Sequence, residues 1–279
     1  MATREVVKSM FYPFESDLSD GSRIKQAAVV LNPAESKRLL GKAVAGLPEI
    51  KNAYANGRLS ISTCSSSAFL LEELTGERVS PYCYCIGMVA DGLLTGSHKD
   101  DREVARFFVK GERVEQDAWT FLDTFEKGDA VVKGGNAVDP QGYAGVLTSN
   151  NQSGTIGALV SLLAVRGLPI IMPVGLEKLV ASVPEAAAGG GQLTLSRSMG
   201  DAVWLYPVTS ALVVTEIEAL GIMAGVKARH VASGGIGGSE GAVVLLLEGY
   251  EENIEKAWKI VDGVKGEPPI AVPRHKLSC

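Results

Sequence analysis

Apolar and polar positions along this chain change period repeatedly, and the changes mark a succession of strands and helices. The apolar run 27–31 reads as a strand. Asn32 then caps a helix that begins Pro33-Ala34-Glu35-Ser36, with proline at the first helical position and an acid in the first turn. Leu39, Leu40, Ala43, Val44 and Leu47 recur at helical spacing and give that helix a face for a core. Segment 59–63 alternates as a strand, and Cys64-Ser65-Ser66-Ser67 leads into a helix over 68–74 that ends at Gly76. Segments 84–90 and 106–110 read as strands, and 117–126 as an amphipathic helix stopped by Gly128. Strands at 130–133 and 144–148, a helix at 154–166 and a strand at 168–174 complete the series. Strands alternating with helices predict an α/β unit, a largely parallel sheet with helices on both faces.

Beyond residue 200 the order shifts to strand 202–207, helix 215–224, strands 226–233 and 242–248, and helix 251–264. That β-α-β-β-α order predicts a smaller C-terminal α+β unit of ferredoxin-like type. Val243, Leu245 and Leu247 alternate with Val244 and Leu246, so the strand there is apolar on both faces. Packing of this unit against another copy is the expectation, which makes the chain a homo-oligomer. The small-residue run 186–191 reads as a hinge. The expected division is therefore an arm at 1–25, a ligand-binding α/β domain at 26–190, the ferredoxin-like domain at 200–269 and a tail at 270–279.

The length of 279 residues, with 46% of them hydrophobic, suffices for a large core without staples. A net charge of -5 gives no general attraction to nucleic acid or to an anionic membrane, so neither is an expected partner. The first residues lack a signal peptide and every apolar stretch is broken short of a bilayer span, so a cytoplasmic location is expected. Cys64, Cys83, Cys85 and Cys279 lack metal-knuckle spacing, and Cys83-x-Cys85 falls in an alternating run that points both thiols to one face of a strand. Reduced, packed thiols are the expectation, with no cofactor and no metal.

Candidate chemistry falls where strands should end. Thr63, Ser65 and Ser66 offer hydroxyls and N–H groups to a phosphate or carboxylate, and Cys64 at the same helix start is a candidate nucleophile or acid. In Lys133-Gly134-Gly135-Asn136-Ala137-Val138-Asp139 the glycines let the backbone approach a ligand, Asn136 orients a hydroxyl or carbonyl, and Asp139 can move a proton. Gly154 and Thr155 open a helix whose free N–H groups suit an anion. Glu177 beside Lys178 follows a buried strand as a candidate acid/base and substrate anchor. Each cluster also has a structural reading: a capped helix, an Asp-Pro turn or a solvated helix start. The glycines of Gly234-Gly235-Ile236-Gly237-Gly238 lie between two strands, so they form a hairpin tip or a flap and not a dinucleotide fingerprint. His230 just before that tip reads as a strand-face residue, and His98 and His275 are isolated and make no triad with an identifiable Ser or Asp.

Taken in order, Ile61-Ser62-Thr63-Cys64-Ser65-Ser66-Ser67, Gly134-Gly135-Asn136-Ala137-Val138-Asp139 and Gly154-Thr155 with the strand that follows resemble motifs of one superfamily. It joins ribose-5-phosphate isomerases, methylthioribose-1-phosphate isomerases, the related initiation-factor exchange subunits, sugar-phosphate-sensing repressor domains and CoA transferases. The resemblance covers 59–174. It implies a phosphate loop at Cys64 and, at the Gly-Ala-Asp position of the isomerases, a functional acid whose place Asn136 takes here. The proton-transfer role then falls to Asp139, and a CoA-transferase reaction would need Glu177 as its nucleophile. The whole chain also resembles an uncharacterised prokaryotic group. Two functions remain open: an enzyme, isomerase-like or transferase-like, acting on a small phosphorylated or carboxylated metabolite, and a non-catalytic metabolite sensor or regulatory subunit using the same pocket.

Overall fold

The computed structural model describes residues 9–151 and 153–273, so His275 and Cys279 of the expected tail lie outside the described residues. Strand β1 (Lys25–Leu31) leads into helix α1 (Pro33–Gly46), where the Glu35 carboxylate accepts a hydrogen bond from the Asn32 N–H at 2.8 Å. Next come α2 (Pro48–Asn56), β2 (Arg58–Ile61) and α3 (Ser65–Thr75), which Gly76 closes in the left-handed region at φ 73°. Two hairpins follow, β3 (Gly87–Ala90) with β4 (Leu93–Gly96) and β5 (Arg106–Val109) with β6 (Glu112–Val114). The middle of the chain holds α4 (Ala118–Asp123), β7 (Ala130–Val132), β8 (Ala137–Val138), β9 (Ala144–Thr148), α5 (Gly154–Arg166), β10 (Ile170–Pro173) and α6 (Val183–Ala187). The last stretch is β11 (Trp204–Val208), β12 (Leu212–Val214), α7 (Glu216–Ala224), β13 (Lys227–Ser233), β14 (Val243–Gly249) and α8 (Glu251–Asp262).

The central sheet has six strands in the order β12-β10-β7-β2-β5-β6. The first four run parallel, and the β5-β6 hairpin adds an antiparallel edge. Period-2 alternation splits its side chains between two cores. Leu59, Ile61, Ala130, Val132, Ile171 and Val214 face α1, α3 and α7. Val131, Ile170, Met172 and Val213 face the opposite side, where α4, α5 and the antiparallel sheet β8-β9-β11 supply Phe121, Leu159, Leu163 and Val146. Both faces are covered, which is why β7 and β10 read as unbroken apolar runs.

Several expectations change at the level of pairing. The strand expected at 202–207 as the first of the C-terminal unit is β11, which pairs antiparallel with β9. The third strand beside β13 and β14 is instead β1, antiparallel to β14 from Lys25↔Gly249 to Leu31↔Val243. Val29 and Leu31 of β1 share one core with Leu245, Leu247, Leu39 and Ile61, so the N-terminal strand belongs with the C-terminal strands and not with the central sheet. Of the expected hinge at 186–191, Ala186 and Ala187 form the end of α6, which is capped by Ser182, whose side chain accepts from the Glu185 N–H. Trp204 packs over Gly190, where a Cβ would lie 2.0 Å from the indole, and its Nε1 donates to the Ala187 carbonyl at 2.9 Å. The arm docks at the sheet edge: Tyr12 N–H donates to Val213 O, and Val213 N–H to Met10 O. Cys83 and Cys85 lie beyond the strand expected for them, which begins only at Gly87. Among the described residues no helix is long and apolar enough to cross a membrane.

Candidate functional site

Open α/β sheets present ligand sites at the carboxyl ends of their parallel strands. Here three adjacent strands, β2, β7 and β10, deliver Cys64, Lys133 and Lys178 to the lining of one cavity of about 750 Å³. That is within the range of small-molecule sites, roughly 300–1,000 Å³. Thr63 and Ser65 flank Cys64 in the lining, Gly134, Gly135 and Asn136 continue the wall beyond Lys133, and Gly154 and Thr155 at the start of α5 close another side. Phe107, Val114, Val146 and Ile156 make the apolar part, and Arg113, Glu115 and Gln116 add polar groups near β6.

Cys64 is the N-cap residue of α3: its Sγ accepts from the Ser67 N–H at 3.2 Å and lies 3.0 Å from the Ser67 hydroxyl. Gly134 is what lets the sulfur sit there, because a Cβ on Gly134 would lie 2.3 Å from Cys64 Sγ. The glycine serves a close approach of protein to protein, where the sequence suggested an approach of backbone to ligand. Gly135 is similarly confined, with a Cβ position 2.9 Å from Val174 Cγ2.

Lys133 extends β7 by one ladder bond, its N–H donating to Ile171 O at 3.0 Å. Two residues beyond Val131, it projects to the same side of the sheet, towards β8, β9 and α5. Burial drives its pKa below the ordinary lysine value, with the thiols of Cys64 and Cys85 opposing the shift. Lys178 is half-buried and fixed, its Nζ donating to the Gly135 carbonyl at 2.9 Å. Burial lowers its pKa too, and the Lys37 charge adds to the effect while Glu177, Cys64 and Cys85 oppose it.

Cys85 is the lining group that sequence reasoning missed as functional. Burial raises its thiol pKa and Cys64 reinforces the shift, against the Lys178 charge, a hydrogen bond from the Ser65 N–H and the Lys133 charge. The Cys83-x-Cys85 spacing was visible, but as part of a strand it gave no reason to bring Cys85 to the helix start at Cys64. At this helix start the Ser67 N–H is taken by the Cys64 sulfur, while the Cys85 thiol donates to the Gly87 carbonyl at 3.2 Å.

Three expected site residues fall outside the lining. Asp139 is fully buried, and its carboxylate accepts from the N–H groups of Gln141 and Tyr143 at 3.0 Å each and of Val183 at 2.9 Å. It pins the turn between β8 and β9 to the start of α6 and has no access to a ligand. Glu177 pairs with Lys37 of α1 at 2.5 Å, turned away from Lys178 because the short 3-10 turn 176–178 points the two side chains in different directions. Ser66 is buried in the first turn of α3. Asn136 lines the cavity but commits its Oδ1 to the Leu147 N–H at 3.0 Å, holding β9 in place. At the α5 start the Gly154 N–H donates to Asn150 Oδ1 at 3.2 Å, and Ser153 takes the left-handed conformation at φ 59°. The glycine-rich segment 234–241 connects antiparallel β13 and β14 and does not reach the cavity.

No protein family, curated protein or solved structure matches this chain.

Proposed function

We propose that the chain is an enzyme acting on a small phosphorylated or carboxylated metabolite in this cavity, with Lys178 and Thr155 at the α5 start holding the anion and Cys64 transferring the proton. The observation that carries this reading is the convergence of one thiol at a helix start and two lysine side chains on a single cavity at the carboxyl ends of three parallel strands. Buried cations with little water around them bind anions more strongly than exposed ones, and a thiol held at a helix N-terminus is suited to reversible proton transfer. The resemblance to sugar-phosphate isomerases agrees with this chemistry, with Cys64 taking the role that Asp139 cannot fill from its buried position.

The withdrawal of Asp139 and Glu177 also favours a second reading, a sensor that binds the same ligands without turnover. A thermal-shift screen of sugar phosphates, acyl-CoAs, nucleotides and small dicarboxylates identifies the ligand class, since binding to the native state raises its apparent stability. Each stabilising compound is then followed by NMR for conversion. Cys64→Ser is expected to keep the thermal shift and lose about 10²–10⁴-fold in turnover, the usual worth of one acid/base group. Binding with no conversion by the wild-type protein would decide for the sensor.

A further inference from the structure

We propose that Lys133 is a covalent catalyst that forms an imine with the carbonyl carbon of its substrate, so that the ligand is a small aldehyde or ketone carrying an anionic group, such as a 2-keto acid or an open-chain sugar phosphate. The proposal rests on the reading of the cavity as an anionic-metabolite site and adds the electrophile that the metabolite must carry.

The two lysines of the cavity are built differently. Lys178 is tethered to the Gly135 carbonyl, which suits a fixed cation for an anionic group. Lys133 belongs to no ion pair among the described residues, although it is only 9% exposed. A lysine kept for structure would place its ammonium on a carboxylate or in water. This one ends in the cavity, and burial favours the neutral amine that attacks carbonyls.

The neighbouring groups complete the chemistry. The amine lone pair of Lys133 attacks the carbonyl carbon, a C–N bond forms, and the carbonyl π pair moves to oxygen, which takes up a proton. Loss of that oxygen as water leaves a protonated imine, so one ammonium and one carbonyl give one iminium and one water. Cys64, seated against the Gly134 backbone next to Lys133, is placed to exchange protons with the carbinolamine oxygen and with the carbon beside the imine. The iminium withdraws electrons from that carbon, which a thiolate can then deprotonate.

The test is reductive trapping on the full chain. Purified protein is incubated with pyruvate, ribose 5-phosphate or glyceraldehyde 3-phosphate, treated with sodium borohydride, digested and mapped by mass spectrometry. Modification of Lys133 is expected to be saturable and at least about tenfold faster near neutral pH than that of exposed Lys51 or Lys110, a ratio equal to one unit of pKa. Inorganic phosphate should compete with it. Lys133→Met should remove this label, and Lys133→Arg serves as the second variant where the methionine protein does not fold. Probes that raise the melting temperature but leave Lys133 no more labelled than surface lysines overturn the imine and leave the anionic site standing. If no anionic probe, with or without a carbonyl, shifts the melting temperature and only surface lysines are trapped, both proposals fall.

Discussion

A carboxylate near a glycine turn is easily taken for chemistry, and Asp139 shows how its surroundings decide otherwise. Three backbone N–H groups from two separate segments converge on it inside the fold. Asp139→Asn keeps the shape but turns one acceptor oxygen into a donor facing those N–H groups. Leaving a buried donor without its partner costs roughly 1–3 kcal/mol, so a thermal or denaturant melt should show a loss of that order. The folded variant should retain turnover, and selective loss of turnover without loss of stability would restore Asp139 to the mechanism. Cys64, Lys133 and Lys178 were legible in the sequence because each lies at or within a few residues of the end of a segment that reads as a strand. The direction of a side chain within a turn was not legible, since it depends on hydrogen bonds from distant segments such as Val183 to Asp139 and Lys37 to Glu177.

Elements were legible where the pattern was long and continuous, and ambiguous where a strand's partner lies far away in the chain. The apolar runs of β7 and β10 and the capped starts of α1 and α3 needed no tertiary information. Strand β12 is only three residues long and depends on β10 for its existence, while β1 carries nothing in its own residues that names β14 as its neighbour. The crossing of the β7 extension with the start of α3 offers a test at this scale. Gly134→Ala would place a methyl far inside van der Waals contact of Cys64 Sγ, so the thiol or the strand must move. Overpacking of this kind costs about 1–3 kcal/mol. Because the displaced atom is the proposed proton carrier, turnover should fall well beyond what the loss in stability explains. Alkylation of Cys64 by iodoacetamide should change its rate in the same variant, and an unchanged rate would show that Gly134 does not set the position of the sulfur.

At the scale of the whole molecule, the two sheets are joined through one core, in which Val29, Leu245 and Leu247 pack in continuity with Leu40, Ile61 and Val132. The junction carries a buried acid. Glu216, the first residue of α7, is fully buried and accepts a hydrogen bond from the Leu176 N–H at 2.9 Å, just beyond β10. Burial raises its pKa and the Glu177 charge adds to this, while the N–H groups of Leu176 and Glu216 and the Ser36 hydroxyl of α1 oppose the shift. The folded state therefore binds the proton more tightly than the unfolded chain does. The stabilisation from this group is complete below the ordinary glutamate value, about 4.3, and is lost as pH rises through the higher folded value. Glu216→Gln fixes a neutral side chain, so its melting temperature should approach that of the wild type in acid and exceed it progressively towards about pH 8. Glu218, whose pKa burial also raises, feels the Glu216 charge as well, so Glu216→Gln relieves part of its shift and adds to the same trend. Melting curves across that range decide the matter: a constant offset between the two proteins would mean that Glu216 holds the same charge folded and unfolded, and that the junction between the sheets does not respond to pH through this residue.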